Sequence, residues 1–200
     1  MPVAKGSTID PARTRATILE TATLVLYERG LDGIGVTELC TRLGVSKETL
    51  YRHFGTKDGL VQAMLEARSE RVSTWLADAV AAAGDDPADQ LTAVFDALQR
   101  WYEEPVFRGC AMTNAAAQHH VEAVRAITAR HLGRYLELLT GIATRAGAAD
   151  PHVLARQLLI LVEGATVVAA HLGAAGTGEH GCRAALALLA ASTPNRRPRP

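Results

Sequence analysis

Three times in this chain an aspartate is followed at once by proline: Asp10-Pro11, Asp86-Pro87 and Asp150-Pro151. Such a pair is a strong helix start. The carboxylate accepts an orphan backbone amide, and proline in the first helical position gives up only an N–H that had no partner. Each pair is followed by apolar residues at helical and not strand spacing. Aromatics are 4% of the residues, and Ala, Leu and Arg, all good helix formers, dominate the 200-residue sequence. Hydrophobic residues at 48% and charged residues at 21% exclude wholesale disorder. The chain is expected to be all-α and long enough to bury a sizeable core.

The periodicity predicts about nine helices. The first runs from Pro11 to about Arg29, burying Ile18, Leu19, Ala22, Val25 and Leu26, and ends at Gly30. A short helix follows Thr37 and stops at Gly44, and another starts at Ser46 with Leu50 and Phe54 on one side. Thr56 caps a long helix with the stripe Val61, Met64, Leu65, Val72, Trp75, Leu76 and Ala79. A helix from Pro87 buries Leu91, Val94, Phe95, Leu98 and Trp101 and ends near Glu104-Pro105; a short helix is expected over 106–118. A long one over 121–146 carries Val124, Ile127, His131, Tyr135, Leu138 and Ile142. Residues 151–172 are apolar nearly all round, and 179–191 form a last Ala/Leu helix. The glycine-rich stretch 176–181 is expected to be a flexible connection between these two. It spells GxGxxG, but a dinucleotide loop needs a preceding strand, and here a helix precedes it. The organisation expected is two helical bundles, over 1–56 and over 57–192, and a disordered Pro/Arg tail over 193–200.

Charge and cysteine content bound the function. The formal net charge is zero, but residues 1–60 carry eight basic side chains against seven acidic, while 61–195 carry ten against fourteen. The three cysteines, Cys40, Cys110 and Cys182, are odd in number and widely spaced, which fits a reduced, cytoplasmic setting. Residues 1–10 are too polar for a secretory leader. The apolar run 153–172 contains Arg156, Gln157, Glu163 and His171, so a buried helix is expected there and no membrane span. No catalytic set, metal site or cofactor loop is expected: there is no HExxH, no G-x-S-x-G, and His119-His120 point to different faces of a helix.

The segment that carries function is V-T-E-L-C-T-R-L-G-V-S-K-E-T-L-Y-R-H-F, residues 36–54. Two short helices about a glycine-centred turn match a helix-turn-helix. Leu39, Leu43, Val45 and Leu50 fill the joint, Cys40 is small where the helices approach, Gly44 permits the turn, and Ser46 caps the second helix. Lys47, Glu48, Thr49, Tyr51, Arg52 and His53 are left facing outward, all hydrogen-bonding types suited to phosphates or base edges. A plain αα-corner would satisfy the spacing alone.

Beyond the spacing, residues 12–65 resemble the N-terminal domain of the tetracycline-repressor (TetR) family. The matching residues are Ile18-Leu19, Ala22, Glu28-Arg29-Gly30, Val36-Thr37, Leu39, Gly44-Val45-Ser46, Leu50-Tyr51-Arg52-His53-Phe54, Lys57, Asp58 and Leu60. Cys40 stands where the family usually has alanine. The resemblance implies a transcription regulator, in the first place a repressor, that binds double-stranded operator DNA as a homodimer near the nucleoid. It implies phosphate-holding roles for Thr37 and Lys57 at helix N-termini, backbone contacts for Tyr51 and His53, and base reading by Lys47, Glu48, Thr49 and Arg52. The last two helices would pair with their copies in a partner subunit.

An effector pocket would be lined by Trp75, Phe95, Trp101, Phe107, Met112, Asn114, His131 and Tyr135, a wall suited to an uncharged or weakly polar small molecule. The alternative is a ligand- or redox-sensing helical protein with Cys110 as the sensing thiol. Glu163, inside an apolar helix, calls for an arginine partner in its own chain or in a partner subunit, or else for an effector contact.

Overall fold

The structure, a computed structural model, describes residues 11–31 and 33–193. Among them are nine helices and no strand: α1 (Pro11–Arg29), α2 (Val36–Leu43), α3 (Lys47–Phe54), α4 (Lys57–Ala82), α5 (Pro87–Tyr102), α6 (Ala111–Gln118), α7 (Glu122–Ala146), α8 (Pro151–Leu172) and α9 (Thr177–Ser192). They form two compact units that part inside α4, after Arg68, and not at its start. The expected cap at Asp10 and the expected tail lie outside the described residues, apart from Thr193.

The helix boundaries follow from capping chemistry. The Asp86 carboxylate accepts the amides of Ala88 at 2.8 Å and Asp89 at 3.2 Å. Asp150 accepts those of His152 at 3.1 Å and Val153 at 3.0 Å. Gly30, at φ +76°, follows the last residue of α1. Three boundaries differ from expectation. α2 starts at Val36, because Gly35 in extended geometry serves as the N-cap. The stretch before Ala111 is not helical: Gly109 takes φ +84°, which breaks a helix. And α9 begins at Thr177, so Gly178 and Gly181 are helical residues and not a flexible connection.

The reason for that last difference is packing. A Cβ on Gly181 would meet the Phe95 ring carbon Cε1 at 2.7 Å, and one on Gly178 would meet Gln99 Cβ at 2.7 Å. The glycines let α9 lie directly on α5. Gln99 then joins the two, accepting the Gly178 amide at 2.7 Å and donating to the Ala174 carbonyl at 3.0 Å. The second unit's core is built on Leu91, Phe95, Leu98, Leu139, Ile142, Leu158 and Val162, all buried.

In the first unit, Ile18, Ala22, Leu26, Leu31, Ile34, Leu39, Leu50, Leu60 and Leu65 form the interior. Arg68 lays its guanidinium over the Tyr27 ring at 4.0 Å, and Arg15 covers Phe54 at 5.1 Å.

α8 is by length and composition apolar enough to cross a membrane, and only 33% of its most apolar window is buried. Its buried face carries Leu154, Leu158 and Val162. Val153, Ile160, Val167, Val168 and Leu172 are exposed on the other side.

Candidate functional site

The corner between α2 and α3 is fixed from within. Leu39 and Leu50 have no exposed surface and Cys40 has 5%. Gly44 takes φ +66°, a left-handed conformation that glycine adopts at little cost. This lets the Val45 amide reach back to the Cys40 carbonyl at 3.1 Å and the Gly44 amide to Thr41 at 3.2 Å. Ser46 then caps α3: its Oγ accepts the Thr49 amide at 3.0 Å. The Thr49 hydroxyl also lies 3.0 Å from Ser46 Oγ. Two helices of eight residues are thus held rigidly about three turn residues.

What the corner presents follows. Ser46, Lys47, Glu48, Tyr51 and Arg52 are exposed, and Thr49 and His53 are half-buried. Leu50 is the one buried residue of α3. The His53 ring tilts against Phe54 with centroids 6.2 Å apart. Thr37 is exposed in the first turn of α2, and Glu38 is paired with Arg42 at 3.0 Å. Among the described residues Glu48 enters no salt bridge. The surface is polar, solvent-facing and backed by a close-packed joint, the arrangement required to hold donors against a nucleic-acid groove.

Lys57 departs from the expectation of a free phosphate contact. Its ammonium donates to the carbonyls of Leu31 at 2.6 Å and Ile34 at 2.8 Å, which engages two of its three donors. Thr56 behaves as the sequence predicts, its hydroxyl accepting the Gly59 amide at 3.0 Å.

The residues expected to line an effector pocket are brought together only in part. Phe95, Phe107, Met112, His131 and Tyr135 are buried, while Trp75 and Trp101 are half-buried. Trp101 meets Phe107 edge-on at 4.8 Å, and Tyr102 lies 5.3 Å from the same ring, so these aromatics fill one another's space. Asn114 is exposed and donates to the Arg108 carbonyl at 2.8 Å, so it faces no interior wall. Beside His131 and Tyr135 there is a cavity of about 10 Å³, also touched by Ser73, Leu76 and Arg134, room for one water. A larger open cleft of about 760 Å³ lies at other residues, among them Asp86, Arg145, Leu186 and Leu189.

From His131, which lines that small cavity, runs a polar chain that sequence reading missed. His131, 1% exposed, lies with Nδ1 3.0 Å from Ser69 Oγ and Nε2 3.7 Å from Cys110 Sγ. Arg134 donates to the same serine at 2.7 Å. The Tyr102 hydroxyl lies 3.0 Å from Thr166 Oγ1, and burial pushes its pKa up to about 12. Ser69 was findable: it falls on the stripe of Leu65, Val72 and Leu76, at helical spacing, where an apolar residue was due. Burial, and after it the nearby Glu163 carboxylate, pushes the Cys110 thiol up. All three cysteines are buried and free. Glu163 is half-buried, carries no ion pair to an arginine among the described residues, and is itself pushed up by burial.

Residues 18–64 match the family described as bacterial regulatory proteins, tetR family. Along the chain, similarity extends to the HTH-type transcriptional regulator BetI of Stenotrophomonas maltophilia, 30% identical over 58% of this chain and 60% of that protein. A protein described as a tetR-transcriptional regulator from Streptomyces avermitilis has the same fold, with a TM-score of 0.77 and 30% identity over 90% of this chain and 97% of that one. The structure of a TetR-family transcriptional regulator from Streptomyces coelicolor superposes with a TM-score of 0.83, at 25% identity over 92% of this chain and 97% of that one. The chain therefore spans about three fifths of the curated BetI relative, and nearly the whole of its structural neighbours.

Proposed function

The chain belongs to the tetR family of bacterial regulatory proteins, and we propose that it is a cytoplasmic DNA-binding transcription regulator, acting as a homodimer on a near-palindromic operator and released by a small molecule. The observation that carries this reading is the contrast within α3: one buried residue, Leu50, and a solvent-facing row of hydrogen-bonding side chains. In this reading Lys47, Glu48, Thr49 and Arg52 address base edges, and Thr37, Ser46, Tyr51 and His53 address the phosphate backbone. Thr49 shares its hydroxyl with the Ser46 cap, so it reads a base only as part of that pair.

Dimerisation through α8 and α9 is supported by the exposed apolar row of α8, in which Ile160 is 66% and Leu172 84% exposed. A row of that kind on a soluble chain marks a surface to be covered. Leu161, between Ile160 and Val162, is half-buried against the chain's own core. Ile160 and Val168 are the better interface residues. A two-fold dimer is expected to bind a near-palindrome whose half-site centres lie about 34–36 Å apart, or a small extension of that.

Effector sensing would fall to the second unit, around the buried chain of Ser69, His131 and Cys110. A ligand larger than one water must open the packed aromatics there, and the release it causes equals its preference for the opened state. As a redox sensor Cys110 is disfavoured, since a buried thiol with a raised pKa is a poor nucleophile.

Selection of bound sequences from a random DNA pool tests the proposal. Enrichment of a two-fold-related site supports it. Failure to enrich any sequence, together with no salt-dependent retention of duplex, removes the regulator reading.

A further inference from the structure

The junction between the α1–α2 connection and α4 is built more tightly than a connection needs to be. The α1 helix ends at Arg29, and α2 does not begin until Val36. The side chains of Leu31 and Ile34 are buried, at 5% and 2% exposure, which pulls this stretch of backbone inward. Their carbonyls lie outside both helices, and buried carbonyls need donors. Lys57, the first residue of α4, supplies both bonds from one ammonium.

Two glycines bring the parts together. A Cβ on Gly33 would collide with the Arg29 carbonyl oxygen, and one on Gly59 with that of Phe54. Gly59 thus lets the first turn of α4 press on the last turn of α3, while Lys57 ties the same turn to the backbone just ahead of α2.

We propose that Lys57 is a positioning residue of the helix-turn-helix: it latches the first turn of α4 to the Leu31 and Ile34 carbonyls, sets where α2 begins, and is not one of the cations that neutralise DNA phosphate. This rests on the reading of the chain as a DNA binder. It also inverts the usual expectation for a lysine at a helix start beside a recognition helix. The lysine acts on DNA through the placement of Thr37 and α3, with two of its three donors committed to the fold.

Salt dependence separates the two roles, because each phosphate contact contributes about 0.9 to the slope of log affinity against log salt. The full-length chain and its Lys57→Met, Lys57→Gln and Lys47→Met variants would be titrated with a random-sequence duplex across a salt series. Amide hydrogen exchange over residues 33–39 would be measured on the same samples without DNA. The latch predicts that Lys57→Met weakens duplex binding about tenfold with an unchanged salt slope, and speeds exchange in that stretch at least about tenfold, as loss of bonds from a charged donor implies. Lys57→Gln keeps a donor without the charge, so it should recover part of the affinity and part of the protection. Lys47→Met, at an exposed lysine read as facing a base edge, serves as the comparison for loss of a lysine charge outside the latch, and should leave exchange over residues 33–39 unchanged.

A slope lowered by about 0.9 in both Lys57 variants, with exchange unchanged, would overturn the latch and restore a phosphate contact. Unchanged exchange in Lys57→Met overturns it whatever the DNA data show. Absence of duplex binding by the unsubstituted chain sinks the regulator reading instead, and is distinguishable because the exchange measurement needs no DNA.

Discussion

Replacing Gly178 by alanine adds one methyl group where α9 lies on α5. That carbon would sit 2.7 Å from Gln99 Cβ, 2.9 Å from Gln99 Oε1 and 2.9 Å from the Phe95 carbonyl oxygen. The last of these is backbone in the middle of a buried helix and cannot swing aside. Overpacking of this kind costs about 1–3 kcal/mol. Moving Gln99 also loosens its bonds to the Gly178 amide and the Ala174 carbonyl, each worth about 1 kcal/mol. Against this, alanine improves helix propensity by up to about 1 kcal/mol. The net expectation is a loss of about 2 kcal/mol, or a Tm lower by about 4–8 °C for a chain of this size. Gly133, in α7, has no atom within 4 Å of a built Cβ, so Gly133→Ala should show the propensity term alone and raise stability by up to about 1 kcal/mol. Thermal and urea unfolding at one fixed protein concentration would measure both. A Gly178→Ala chain as stable as the unsubstituted one would refute the packing argument.

Ile160→Arg and Val168→Arg should each yield monomers in sedimentation, since an unpaired charge in an apolar interface costs several kcal/mol; a variant still dimeric would move the interface off α8. Arg52→Ala should relax sequence preference by about 1–3 kcal/mol in competition binding, if its guanidinium reads a base. Glu163→Gln should raise stability at neutral pH. Burial holds the Glu163 carboxyl above its ordinary 4.5, so the folded state binds more protons than the unfolded one, and stability falls as pH rises through and above that value. The advantage of the variant should therefore vanish in acid; an advantage that grows on acidification would contradict the assignment.

Helix starts were the most legible part of the fold, because Asp86 and Asp150 act through neighbours one to three residues away. So was the corner, whose glycine, cap and three buried residues all lie within 19 consecutive positions. What lay beyond reading were contacts between distant stretches. The GxGxxG run reads as a flexible connection, since nothing local says that Phe95 and Gln99 will press on it from α5. Lys57 looked like a free cation, since its partners are carbonyls some twenty residues away that carry no side-chain signature. Asn114 was placed in the pocket wall with its neighbours Phe107 and Met112, but Gly109 keeps the chain out of a helix until Ala111, and the asparagine faces solvent. The chain linking Ser69, His131 and Cys110 joins three separate elements, and only the serine's place on an apolar stripe hinted at it.

The division of labour in α3 bears on how such a protein diversifies. Because Leu50 is the buried anchor of the helix and the Ser46 cap starts it, the exposed Lys47, Glu48 and Arg52 can be exchanged with little penalty to folding. If those residues read bases as proposed, duplicated copies of the gene could drift at these positions and acquire new target sequences one substitution at a time, each intermediate remaining a folded protein open to selection.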